Sequence, residues 1–321
     1  MSLQKLKNIP RKLRRELYRI PALHAMKEQA HQRAIDSHAQ FLPLLNKQER
    51  AIVERLKQEG TCIVSLDELK LSTTEHMITT AHHLASKLNQ PQENKLQNCE
   101  VEADKNDFRE FPKILLWALE PKLLNIIENY IGLPILYQGF NVRRSIADGQ
   151  CSGIRQWHID WEDRRTIKII IYLNNVEIGG GPYEYIRKTV TAEAIKYLNY
   201  YNLGFLSDAQ MHDAVSPVDW TACLGKQGSV VITDTSNVFH RAQPPTMKDR
   251  FSITFCYTSA NPQVVWRSRK VSRQQWSLID RQLNSRQKKC LTKRKFDQRS
   301  PASPDMRRTE SPLFLRRGTG D

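Results

Sequence analysis

The sequence of 321 residues has neither an uninterrupted apolar run of membrane-spanning length nor an amino-terminal leader with an apolar core. We therefore expect a cytoplasmic protein. The six cysteines are scattered and include no Cys-x-x-Cys pair, which disfavours a zinc ribbon and a disulfide framework. Phosphate-binding loops of the Gly-x-Gly-x-x-Gly or Walker A type are also missing, so nucleotide-binding α/β folds are poor candidates.

Positive charge is concentrated at the two ends of the chain. The formal net charge is +15, and residues 1–19 carry seven basic and one acidic side chain, whereas residues 264–321 carry sixteen basic and five acidic ones. The stretch between them is close to neutral, so the net charge of the chain does not indicate the function of a folded domain there. Residues 1–19 and 286–321 could make weak electrostatic contact with nucleic acid or an anionic membrane. Simple solvation is the alternative, and no obligate partner is indicated.

Composition divides the chain into four parts. Residues 1–45 predict a basic helical extension, which either packs on the domain or lies on an anionic surface. Residues 46–265 predict the folded domain. Residues 266–284 could form a C-terminal helix, and residues 285–321, rich in Lys, Arg, Ser and Pro, predict a basic disordered tail.

Helical patterns come first in the domain and β patterns follow. Asn46 and Glu49 predict a capping box that opens a helix ending at Gly60. The box Ser72–Glu75 predicts a second helix, and residues 89–107 predict a loop. Further strand candidates are Thr61–Val64, Ile135–Ser145, Thr166–Leu173, Ser229–Thr233 and Phe251–Tyr257. Helices gathered before strands favour an α+β fold or an all-β domain decorated with helices.

The stretch 156–161, Gln-Trp-His-Ile-Asp-Trp, places an imidazole and a carboxylate two positions apart. In a strand, His158 and Asp160 would point to the same face, about 7 Å apart at their Cα atoms, within reach of one ion. His240 follows a later strand and supplies a third potential ligand. Two histidines and one carboxylate form a facial triad typical of non-haem Fe(II) oxygenases, although zinc binds the same ligand types.

The strand candidate that follows Arg250 alternates cleanly between apolar and polar residues. Its apolar face should pack against helices, while Arg250, Ser252 and Thr254 point the other way, into the interior of a barrel. A buried cation needs an anion, and the planar guanidinium of arginine suits a carboxylate. The Arg250–Ser252 pair therefore predicts a site for an organic acid, which a zinc hydrolase would not need.

With these motifs in this order, the chain resembles the Fe(II)/2-oxoglutarate-dependent oxygenases, specifically the phytanoyl-CoA dioxygenase-like superfamily. The resemblance covers about residues 46–262. The motifs that carry it are the helix-glycine-strand segment 49–64, the His158–Asp160 triplet, Leu173–Val176, Gly180–Pro182, Gly228–Val231, His240 and Arg250–Ser252.

The resemblance implies a mainly β fold with bracing helices, a double-stranded β-helix (a cupin-like jelly roll). It implies that His158, Asp160 and His240 hold Fe(II), and that Arg250 and Ser252 bind the distal carboxylate of 2-oxoglutarate. O2 would then be used to hydroxylate a small-molecule or lipid-like substrate, with release of succinate and CO2. Asp160 favours hydroxylation, because halogenases of this superfamily carry a small residue there. The alternative is an iron- and 2-oxoglutarate-binding sensor without turnover, or a scaffold recruited through the basic ends.

The resemblance suggests further assignments on the substrate side. The family's basic residue on the strand before the triplet corresponds to Arg143 or Arg144, and we favour Arg143 because alternation lets only one of them face inward. The stretch 188–227 predicts a lid, with a helical decoration as the alternative. Candidates to line the substrate pocket, with core packing as the alternative for each, are Trp157, Trp161 and Tyr183.

Overall fold

The computed structural model describes residues 21–89, 99–103, 111–200, 204–263 and 279–291. The basic residues before 21 and after 291 lie outside these ranges, as does most of the predicted C-terminal helix. Within them, no helix is both long enough and apolar enough to cross a membrane.

The described chain is an α+β structure with antiparallel sheets. Its α-helices are α1 Pro21–Ala39, α2 Lys47–Glu59, α3 Leu66–Leu69, α4 Thr74–Ser86, α5 Phe111–Ala118, α6 Pro121–Ile131, α7 Lys188–Tyr197, α8 Asp208–Ala214 and α9 Ser285–Leu291. Its strands are β1 Thr61–Ser65, β2 Glu100–Glu102, β3 Ile135–Ser145, β4 Ile167–Tyr172, β5 Tyr183–Ile186, β6 Trp220–Cys223, β7 Ser229–Asp234, β8 His240–Ala242 and β9 Arg250–Ser259.

The larger sheet has six strands in the order β1-β7-β4-β9-β3-β2, and every neighbouring pair is antiparallel. One face of this sheet packs against the helices and carries most of the hydrophobic core. Ile167, Ile169 and Ile171 of β4 are completely buried there. Phe255 of β9 lies 4.7 Å from the ring of Trp117 in α5. The predicted apolar face of β9 is confirmed, because alternate residues of a strand share one face.

The smaller sheet, β6-β5-β8, lies against the other face of the larger one. Two tyrosines join the sheets directly. The hydroxyl of Tyr183 in β5 hydrogen-bonds the hydroxyl of Thr233 in β7 at 2.8 Å. The hydroxyl of Tyr172 in β4 donates to the carbonyl of Cys223 in β6 at 2.8 Å. The polar face of the large sheet therefore looks into the space that the small sheet covers.

Helix α2 forms as its sequence predicts. The Asn46 side chain accepts from the Glu49 amide, and the Glu49 carboxylate accepts from the Asn46 amide, which completes the capping box. Gly60 ends the helix with φ +81°, and a Cβ at this position would come within 2.4 Å of a Val238 methyl group. Glycine is therefore required both by its backbone conformation and by close packing.

The capping box predicted at the start of the second helix does not form. Helix α4 begins at Thr74, and its N-cap residue Thr73 makes no side-chain capping bond. Instead, the hydroxyls of Ser72 and Thr73 and the Thr73 amide all donate to the Glu120 carboxylate, at 2.8 to 3.1 Å. A distant carboxylate has taken over the capping that the local box predicts.

Two further predictions need correction. Residues 89–107 are not entirely a loop, because β2 forms within them and pairs with the edge of β3. The tail does not begin at residue 285, because residues 285–291 are helix α9, with Cys290 buried. Arg286 of α9 forms an ion pair of 2.6 Å with Glu128 of α6. Both segments are held by partners far away in the sequence.

Candidate metal centre and anion site

Three side chains that are separated in the sequence converge beside β8. His158, Asp160 and His240 each offer one ligand atom, and these atoms all lie within 4.8 Å of one another. The backbones of His158 and His240 exchange two hydrogen bonds of 3.0 Å, and the Asp160 amide donates to the Thr235 carbonyl at 2.8 Å. Backbone pairing alone therefore brings the His-x-Asp triplet against the start of β8.

Both imidazoles are oriented in the same way. Nδ1 of His158 donates to the Gln156 carbonyl at 2.8 Å, and Nδ1 of His240 donates to the Val238 carbonyl at 3.1 Å. Each Nε2 is left facing the carboxylate of Asp160, at 4.0 Å and 3.7 Å respectively. Such a hydrogen bond on the second ring nitrogen fixes the tautomer and the ring plane of a histidine that binds a metal.

The charge states of the cluster suit a divalent cation. Burial lowers the pKa of His158, and burial together with the neighbouring imidazole lowers the pKa of His240 to about 3. Burial would raise the pKa of Asp160, but the Lys168 ammonium and the two imidazoles hold it below its usual range. Two neutral imidazoles and an ionised carboxylate are the donors that a transition metal needs. The residues present therefore fit a metal ion.

Arg250 is a buried cation on the inner face of the large sheet. Its side chain donates to the Gly181 carbonyl and, at 3.0 Å, to the Ser145 hydroxyl, while its Nε has no partner. Among the described residues, no carboxylate lies within ion-pair distance of it. Burial lowers the pKa of Arg250. Ser252, two residues further along β9, is also buried and points to the same face.

Arg143 faces inward, as alternation predicts, but its charge is already matched. It lies opposite Ser252 in the β3–β9 register. Its guanidinium forms an ion pair of 2.6 Å with Glu102, and its Nε lies 3.7 Å from the Glu100 carboxylate. Of the two inward arginines, only Arg250 lacks a described carboxylate partner, and we therefore leave Arg143 out of the anion site.

Lys168 belongs to the centre, and sequence reasoning missed it. Its ammonium lies 2.5 Å from Oδ2 of Asp160. The signal was present in the alternation of β4, where Lys168 shares a face with Ile170 and Tyr172 rather than with the core isoleucines. A lysine inside an otherwise apolar strand indicates that an anion lies close to its ammonium group.

The three predicted pocket residues have different surroundings. Trp157 is completely buried, and its indole N–H donates to Asp208 at 3.1 Å. Tyr183 is also buried and stacks on the ring of His240 at 5.6 Å, so it packs against one histidine of the cluster. Trp161 is only half-buried. A residue that was not predicted, Phe205, presents a half-exposed ring edge-on to His158 at 5.2 Å.

The predicted lid stretch contains α7, α8 and the strand β6, which belongs to the small sheet. Arg241 of β8 holds this stretch to the domain. Its guanidinium contacts the rings of both Trp157 and Trp220, at 4.6 and 5.3 Å, and these two rings meet edge-on at 5.0 Å. It also forms an ion pair of 2.6 Å with Glu184 and a second one with Asp208, in the first turn of α8.

We expect Arg241→Met to destabilise the protein by about 3 to 5 kcal/mol, because it leaves the buried Glu184 carboxylate without its cation. The free energy of unfolding in urea measures this, and hydrogen exchange across residues 204–215 should rise. Arg187→Met is the matched control. Its ion pair with Asp219 is far more exposed and should contribute no more than about 1 kcal/mol. Equal losses of unfolding free energy in the two variants would contradict the role of Arg241 in holding this stretch to the domain.

No protein-family model and no curated protein matches the chain. Several solved structures are similar to it. They include the non-heme alpha ketoglutarate dependent epimerase SnoN from nogalamycin biosynthesis (12% identity over 67% of this chain and 83% of that chain, TM-score 0.43). They also include HygX from Streptomyces hygroscopicus with nickel, 2-oxoglutarate and hygromycin B bound (12% identity over 67% of this chain and 88% of that chain, TM-score 0.43). A third is the non-heme monooxygenase ThoJ (12% identity over 66% of this chain and 80% of that chain, TM-score 0.42). Similarity at this level does not transfer a ligand or an activity to this chain.

Proposed function

We propose that this protein is an Fe(II)- and 2-oxoglutarate-dependent dioxygenase that hydroxylates a small-molecule or lipid-like substrate. The observation that carries the proposal is Arg250, a buried guanidinium with an unpartnered Nε and no carboxylate within ion-pair distance among the described residues. The Glu100 carboxylate acts on it only from beyond the Ser145 hydroxyl, which both side chains contact. A buried cation of this kind calls for an anionic ligand. A site for an organic acid, added to a two-histidine, one-carboxylate cluster, distinguishes an oxygenase from a zinc hydrolase.

We also propose that the two sheets form a double-stranded β-helix. The antiparallel strand order and the direct contacts between the sheets support this. So does the path of the chain, which leaves the large sheet after β4, runs through β5 and β6, and returns to the large sheet at β7. It then visits the small sheet once more at β8 before β9. Such a barrel encloses a site between its sheets.

In the proposed enzyme, Nε2 of His158, Nε2 of His240 and the carboxylate of Asp160 would hold the iron. The orientation of the two imidazoles is set before any ion arrives, because each Nδ1 is bound to a backbone carbonyl. Bound iron would supply, with O2 and 2-oxoglutarate, the oxidising power for C–H hydroxylation, with release of succinate and CO2. Halogenases of the superfamily that the chain resembles have a small residue at the position of Asp160. The carboxylate of Asp160 therefore favours hydroxylation.

Arg250 would bind the distal carboxylate of 2-oxoglutarate, with the Ser252 hydroxyl as a further donor. The guanidinium is held in place by the Gly181 carbonyl and the Ser145 hydroxyl, so little conformational freedom is lost when an anion binds. The half-exposed ring of Phe205 gives apolar surface beside His158. This surface suits the apolar part of a substrate and keeps water from the reacting atoms.

An anaerobic incubation tests the proposal. The apoprotein with Fe(II) and 2-oxoglutarate should develop a weak visible charge-transfer band, and in air it should convert 2-oxoglutarate to succinate. Cellular metabolite extracts should accelerate this conversion, and an oxidised product should appear by mass spectrometry. A chelator is the control and should remove both signals. Absence of the band together with absence of succinate would contradict the proposal. A band without succinate in any extract would favour a sensing module instead.

A further inference from the structure

Lys168 places an ammonium group inside the candidate metal centre. It lies on the inner face of β4, opposite Thr233 of β7 and Cys256 of β9. Its Nζ is 2.5 Å from Oδ2 of Asp160, and only 16% of the lysine side chain and 12% of the aspartate side chain are exposed. The ion pair is therefore largely removed from solvent, where charges interact more strongly than at a surface.

The ammonium and a metal ion would use the same carboxylate. Oδ2 of Asp160, which accepts from Lys168, is also the oxygen 3.7 Å from Nε2 of His240. A carboxylate oxygen binds a divalent metal at about 2.0–2.2 Å, so the ion and the ammonium would be close neighbours of like sign. Among the described carboxylates, Glu162 is the next to act on Lys168, and it already accepts from the Trp161 amide at 3.0 Å.

The contact is that of a charged ion pair, because the Lys168 Nζ lies within hydrogen-bond distance of a carboxylate oxygen and both side chains are largely buried. A divalent ion that enters alone therefore meets a carboxylate that is already neutralised and a fixed positive charge beside it. A dianionic ligand of the metal would offset this excess of positive charge and give the ammonium a second anion to contact.

We infer that Lys168 makes metal binding depend on the cosubstrate, so that the centre holds its metal weakly alone and tightly once 2-oxoglutarate is present. This inference rests on the proposed function. Since coupling between two binding sites is reciprocal, 2-oxoglutarate should also bind weakly without metal. The physical consequence is cooperative loading, because metal and cosubstrate occupy the site together rather than leaving a metal exposed without its dianion.

Manganese titrations test the inference without any turnover. The dissociation constant of Mn(II) is measured from the electron paramagnetic resonance signal of the free ion, with and without saturating 2-oxoglutarate. In Lys168→Met, Mn(II) alone should bind at least about 10-fold more tightly than in the unaltered protein, and the enhancement by 2-oxoglutarate should shrink at least about 10-fold, within the usual range of site coupling. Lys168→Arg retains the charge and should retain the coupling. Lys226→Met, at an exposed lysine, should change nothing.

The outcomes separate the inference from the proposed function. If Lys168→Met binds Mn(II) alone no more tightly while both proteins bind it with 2-oxoglutarate, the inference is wrong and the proposed function stands. If neither protein binds Mn(II) under any condition, both are wrong. Because Lys168→Met leaves Asp160 unpaired before metal binds, thermal unfolding of each variant is followed as well. Lys168→Gln, which keeps a hydrogen-bond donor without the charge, provides the same comparison if the methionine variant does not fold.

Discussion

Replacing His158 by alanine is expected to abolish specific Fe(II) binding and to lower succinate formation by at least about 1,000-fold, as the loss of an essential catalytic group does. In the proposed metal centre the imidazole would supply one of three ligands, and its Nε2 is already close to the other two ligand atoms. Asp160→Ala should have the same effect on turnover. Asp160→Ala also leaves the Lys168 ammonium without its carboxylate partner. His158→Ala is therefore the variant that tests the metal ligand alone.

The measurement is an anaerobic titration with Fe(II) in the presence of 2-oxoglutarate, in which the intensity of the charge-transfer band reports binding. Circular dichroism verifies that the variant is folded. His212→Ala is the matched control, because His212 is an exposed histidine of α8 outside the cluster and its loss should leave both readouts unchanged. A folded His158→Ala protein that still forms succinate at the unaltered rate would remove the metal assignment.

Arg250→Met is expected to raise the KM for 2-oxoglutarate by about 100-fold, because hydrogen bonds to charged groups contribute up to about 3 kcal/mol. Binding of Mn(II) in the absence of 2-oxoglutarate should change little, since Arg250 is not among the ligand residues. The two effects separate the cosubstrate anchor from the metal ligands. Calorimetric titration of the Mn(II)-loaded protein with 2-oxoglutarate measures the same loss without turnover.

Arg143→Met provides the contrast, because Arg143 faces the same side of the sheet but is engaged by Glu102. We expect it to change the KM for 2-oxoglutarate by less than about 5-fold, since its charge is already matched by a carboxylate. A larger loss in Arg143→Met than in Arg250→Met would reverse the assignment. It would mean that the cosubstrate displaces the acidic partners of Arg143.

Strand prediction succeeded where the hydrophobic pattern is long and failed where a strand is short. The limits of β3 were predicted residue for residue, and β1, β4, β7 and β9 were predicted to within two residues at each end. The strands β2, β5, β6 and β8 were missed. Each has three or four residues, which is too few for an alternating pattern to rise above chance. They form because a longer strand or a facing strand supplies their hydrogen bonds.

The predicted pocket residues show what the sequence left open. Trp157 and Tyr183 neighbour the cluster in sequence or in space, and the sequence allowed either pocket lining or core packing for each. Trp157 instead carries Arg241 on its ring and donates to Asp208, while Tyr183 joins the two sheets. Which face of a large aromatic residue is covered depends on elements that come later in the chain, such as α8 and β7.

The sequence by itself determined which side chains share a face. The two-residue spacing of His158 and Asp160, and of Arg250 and Ser252, directs each pair to one side because the repeat of a strand is a local property of the backbone. Only the tertiary structure decided which charges are matched. It gave Arg143 a carboxylate, left Arg250 without one among the described residues, and set Lys168 against Asp160. Charge compensation is a contact between side chains on different elements of the fold, and the alternation of a single strand does not encode it.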